Sequence, residues 1–112
     1  MNEDFVPYEL AVKLNEKGFD YETRDIYERN TLACRYEDVP KPTISQVLKW
    51  LRENHKLHIS TKPYPCEDGL MWMYEVRKFS SVLVCVVVNK TGFYEPEQAA
   101  IAGIEYCLDN LI

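Results

Sequence analysis

Two histidines, His55 and His58, and one loop cysteine, Cys66, are the nearest thing in this sequence to a reactive set. Zinc takes imidazole and thiolate ligands, usually four of them, with short pairs entering from one turn. His55-x-x-His58 has a usable gap and Cys66 offers a third donor, but no fourth ligand follows. The pair also straddles a predicted helix end and a predicted strand start. The plainer reading is one packed and one surface histidine. A cysteine nucleophile needs a thiol of lowered pKa and a base within reach. Cys66, in a proline-rich loop after His58, is the one thiol whose context fits, since Cys34, Cys85 and Cys107 fall in predicted regular structure. The chain has no glycine-rich phosphate loop, no G-x-S-x-G, no H-E-x-x-H and no paired helical carboxylates. No catalytic residue, metal or cofactor is therefore expected. A small metal- or thiol-dependent enzyme built on His55, His58 and Cys66 stands as a minor alternative.

Lys49, Arg52 and Lys56 recur at i, i+3 and i+7, with Trp50 beside them. A cationic stripe with an aromatic neighbour can grip phosphates or an acidic protein. The plainer reading is the solvated side of an amphipathic helix, with Glu53 interleaved. These four residues are the candidate contact for a polyanion or a protein partner. Tyr8, Tyr64, Trp72 and Tyr94 would mark an interface if they lay exposed together; otherwise they are core and rim packing.

The elements that would position these groups follow from periodicity. Val82 to Val88 is an unbroken apolar run of Val and Leu with one Cys. Its β-branched density predicts a strand, with Val82, Val84, Val86 and Val88 on one face and Leu83, Cys85 and Val87 on the other. Both faces are apolar, so the expectation is an interior strand, one face under helices and the other under a further layer, a loop or a partner chain. Cys85 and Cys107 are expected to be packed thiols.

Pro7 to Lys17 reads as a helix stopped by Gly18, with Phe19 folding back. Arg24–Glu28 and Leu32–Tyr36 can form a small hairpin around Arg29-Asn30-Thr31, or a loop, and Pro40 and Pro42 are expected to end any strand there. Thr43 to Asn54 is the clearest helix. Thr43 and Gln46 form a capping box, and Ile44, Val47, Leu48 and Leu51 make the apolar stripe. Leu57–Thr61 is a predicted strand closed by Pro63 and Pro65. Leu70–Val76 is a second, with Leu70, Trp72, Tyr74 and Val76 on one face and Met71, Met73 and Glu75 on the other. With the valine run they make an antiparallel meander. Pro96 opens a last helix, with Glu95 and Glu97 at its positive end. Its apolar face is Ala100, Ile101, Ile104, Cys107, Leu108 and Leu111, and small Ala99 and Gly103 allow close approach to the sheet. The fold class is α+β, an α-β-β-β-α core preceded by a helix, in a single domain over 1–112.

The 112 residues carry 13 basic and 18 acidic groups, a net charge of −5. A polyanion meets a repulsive average field, so nucleic-acid binding is disfavoured. No apolar run approaches a membrane span of ~18–20 residues, and the acidic start lacks the basic, apolar-cored form of a signal peptide. A cytoplasmic location is expected, with reduced thiols.

The order α-β-β-β-α, and the run Gln98-Ala99-Ala100-Ile101-Ala102-Gly103, resemble the double-stranded-RNA-binding fold. That family holds phosphates with a lysine pair at the start of its last helix. Here the place reads Glu95-Pro96-Glu97, so the resemblance is topological. Three stretches carry a closer likeness: FVPYELAVKLNEKGFD at 5–20, PTISQVLKWLRENH at 42–55 and EQAAIAGIEYCLDNLI at 97–112. They resemble a family of small uncharacterised proteins of Bacteroidetes and their phages. The resemblance implies a phage or mobile-element accessory protein, and the lack of convergent reactive groups makes a non-catalytic one the expectation. A protein partner or self-association is the expected mode of action, a nucleic-acid-associated module the alternative.

Overall fold

A computed structural model describes residues 5–23, 25–27, 39–67, 69–80 and 84–112. Helix α1 (Tyr8–Glu16) starts after Pro7, whose extended backbone turns the chain into the first turn. It ends as the sequence predicts. Gly18 takes a φ of +92°, the left-handed region open to a residue without Cβ. The Phe19 amide then donates to the Leu14 carbonyl at 2.9 Å and the Gly18 amide to Asn15 at 3.3 Å, the paired bonds of a Schellman stop. Leu10, Ala11 and Leu14 are buried, and Phe19 joins them in the core.

Two short strands follow, β1 (Asp25–Tyr27) and β2 (Val39–Lys41), paired antiparallel. Ile26 lies opposite Pro40, and the hairpin partner expected at Leu32–Tyr36 lies outside the described residues. Pro40 does not end a strand, because in a two-stranded sheet every strand has an open side where the missing N–H costs no ladder bond. Val6 donates to the Pro42 carbonyl at 3.1 Å, and Phe5 bridges Thr43, tying α1 to the start of α2.

Helix α2 (Ile44–His55) has the predicted capping box. The Gln46 amide donates to Thr43 Oγ1 at 3.2 Å, and the Thr43 amide to Gln46 Oε1 at 2.9 Å. It stops at Lys56, which sits at φ +58° without being glycine. The chain then runs through β3 (Leu57–Cys66), β4 (Gly69–Phe79) and β5 (Val84–Phe93), an antiparallel sheet in the order β3-β4-β5. The predicted meander is present, but β3 continues past Thr61. Pro63 and Pro65 lie within it, opposite Trp72 and Leu70. They stand two apart, so both ring nitrogens face the same side, and β3 has an open side to receive them.

Helix α3 (Pro96–Asn110) crosses β3 and β4. Gly103 is what lets it settle. A Cβ there would lie 3.0 Å from Ile59 Cγ2 and 3.2 Å from the Tyr74 ring. The core is drawn from all three helices, from Leu57 and Ile59 of β3 and from Tyr74 and Val76 of β4. The described part of the valine run, Val84–Val88, contributes none of the fully buried core residues; among the described residues of β5, Val88 and Phe93 pack against them, and partly.

Candidate functional site

The histidine–cysteine set does not assemble. His55 closes α2 with its ring edge-on to Trp50, centroids 4.7 Å apart. His58 lies on β3 opposite Arg77, and Cys66 lies at the far end of the same strand. Eight residues of extended chain separate His58 from Cys66, a span of ~26 Å, whereas a shared metal or proton needs a few ångströms. Among the described residues no three His, Cys, Asp or Glu side chains come together to hold a metal. Cys66 is exposed at the strand end.

The basic stripe divides. Lys49, Arg52 and Lys56 are exposed. Trp50 is 2% exposed, packed edge-on against Phe19 at 5.5 Å and against His55. It is a core residue and is not available to a ligand of the stripe. The α2 surface instead makes a structural contact: Tyr21 Oη donates to Glu53 Oε1 at 2.7 Å, and Asn54 Nδ2 donates to Tyr21 Oη at 3.1 Å. The bond to Glu53 is the main reason the Tyr21 phenol is held above its usual pKa. The four candidate interface aromatics do not gather in solvent. Tyr8, Tyr64 and Trp72 are half-buried, and Tyr94 is exposed.

The helices cover one face of the sheet. The other carries His58, Ser60 and Lys62 from β3 and Met73, Glu75 and Arg77 from β4, as the strand register requires. Glu75 is its most enclosed member, with Lys62 Nζ 3.0 Å from Oε2 and Arg77 Nε 2.8 Å from Oε1. The Arg77 bond first, and the Lys62 bond second, hold its carboxyl below the usual range. A general base working near neutrality needs the opposite shift, so this triad is a neutralised surface clasp rather than an acid–base device. Cys107, on α3, is buried, and desolvation pushes its thiol up to about 12, which makes it inert.

What remains is β5, and here the expectation of an interior strand is corrected. β5 is an outer strand. Val84 is 62% exposed, Val86 53% and Val87 38%, and Cys85 is exposed beside them rather than packed. Two register shifts bend the strand. Val76 pairs with Val88 and Arg77 with Val86, leaving Val87 as an extra residue. Trp72 pairs with Phe93 and Met73 with Thr91, leaving Gly92 as a second, at φ +105°. The bends carry Val88 and Phe93 onto the core and leave Val84–Val87 outside it. No sequence signal distinguishes this outcome, because an apolar strand awaiting a partner and one in a core have the same composition.

Comparison with models of known protein families, with curated proteins and with solved structures finds no match. The site therefore rests on its own geometry: an apolar outer strand beside a clasped polar face.

Proposed function

We propose that this chain is a non-catalytic interaction protein that engages a protein partner along β5. One observation carries the reading: Val84–Val88, from the most apolar stretch of the sequence, lie on an outer strand with Val84 and Val86 more than half exposed. Exposed β-branched strands are ready templates for pairing, and monomeric proteins ordinarily blunt them. An accessory role in a phage or mobile element is supported by the resemblance of residues 5–20, 42–55 and 97–112. A cytoplasmic setting is supported by the free, exposed thiols of Cys66 and Cys85, which suit a reducing compartment.

A photo-crosslinking amino acid at position 86, in the chain expressed in cells that carry its natural neighbours, tests the reading. Discrete adducts heavier than the 13.2 kDa chain are expected from position 86 and not from exposed Glu16 on α1. No adduct from position 86 would overturn it. The nucleic-acid reading keeps three exposed cations at Lys49, Arg52 and Lys56. It loses Trp50 to the core and meets a net charge of −5.

A further inference from the structure

We infer that the occupant of β5 is a second copy of this chain, paired antiparallel across Val84–Val86 to make a continuous six-stranded sheet. The inference rests on the interaction reading above and names its partner. The two outer strands of the sheet are unlike. β3 carries Pro63 and Pro65, which supply no N–H to a strand laid against them. β5 carries no proline. Pairing of β5 with the β3 of another copy, which would propagate into a filament, is therefore interrupted at Pro63 and Pro65 and confined to the proline-free half of β3. Pairing of β5 with β5 is open on both and closes after two chains about a two-fold axis.

The sequence of β5 suits its own reversal. Antiparallel pairing centred on Cys85 sets Val84 of one chain opposite Val86 of the other, apolar on apolar at both ends of the contact. The bulge at Val87 lies just outside it. Charges stay clear. Lys90 is the strand's one ionic residue, and the two copies of it stand ten residues of extended chain apart, ~33 Å. Lys78, opposite Cys85 on β4, is nearer. Its two copies are three strand spacings apart, ~14 Å, which exceeds the Debye length of ~8 Å at physiological salt. The contact is short, below the ~800 Å² per partner of a standard interface, so a reversible dimer in the micromolar range is expected.

Sedimentation of the purified full chain from ~1 to ~500 µM, spanning that range, tests the pairing. A monomer–dimer equilibrium is expected. Val86→Lys and, independently, Val84→Lys should each leave only monomer, with circular dichroism unchanged. In a Cys34→Ser, Cys66→Ser background, a mild thiol oxidant should link two chains through Cys85, since antiparallel partners place Cα atoms ~4.5–5.5 Å apart, within disulfide reach. A monomer at every concentration overturns the self-pairing. So does a dimer indifferent to both lysine variants, an assembly larger than two, or the absence of a Cys85 link. The interaction reading stands or falls separately, by the adducts at position 86. An adduct with a different protein keeps that reading and removes this inference.

Discussion

Glu75 shows how a carboxylate can lie almost enclosed on a sheet face that none of the described helices covers. Arg77 reaches it from two residues along the same strand, and Lys62 from the diagonal position on β3. Both cations are exposed enough to keep their own hydration while they neutralise it. Because its folded pKa lies below its unfolded value of about 4.5, the carboxylate stabilises the fold fully above that pH. The contribution is lost as pH falls through the lowered folded value. Glu75→Gln should therefore reduce the melting temperature at pH 6–7 and flatten its decline below about pH 4.5, as thermal denaturation across pH 2–7 would show. Lys62 and Arg77 are ordinary surface cations in the sequence. Their convergence depends on the pairing of Ser60 with Glu75, and strand register is not written in either segment alone.

Among the elements, α2 and α3 were the most legible, and for local reasons. The capping box, the i, i+3, i+4, i+7 stripe and the Pro96 start are interactions between near neighbours, so they survive translation from sequence to structure. The small residues of α3 predicted a close approach to the sheet, and Gly103 makes it, against Ile59 and Tyr74. Gly103→Ala would gain about 1 kcal/mol of helix propensity. The added methyl would press on a buried Ile and a buried Tyr ring, and overpacking of that kind costs about 1–3 kcal/mol. Chemical denaturation should show a net loss of about 1 kcal/mol, and Gly103→Val a much larger one. The strands were less legible. Pro63 and Pro65 read locally as stops, yet β3 runs through both, because an outer strand has one side with no ladder to break. Trp50 read as a neighbour of Lys49. It belongs to the core, because 100° per residue turns it, with Leu51, toward the interior and Phe19 while Lys49 faces solvent.

At the scale of the whole molecule, the core and the most hydrophobic segment are not the same place. Val76 is fully buried on the central strand, β4, whereas Val86 is 53% exposed on the outer strand, β5. Val76→Ala should cost about 2–3 kcal/mol in the monomer. Val86→Ala should change monomer stability by less than about 0.5 kcal/mol. Denaturation of both variants at dilute concentration, where any dimer has dissociated, checks the contrast; equal losses would return β5 to the interior. From the residues alone, three helices, three strands, their antiparallel order and an α+β architecture could be read, since periodicity, caps and turn chemistry act within a few residues. Only the tertiary structure decided which strand lies outside, that Trp50 is enclosed, and that His58 and Cys66 stand a strand's length apart. Those are long-range facts. Burial depends on what packs across a face, and a valine carries no record of whether that neighbour is its own helix or another molecule.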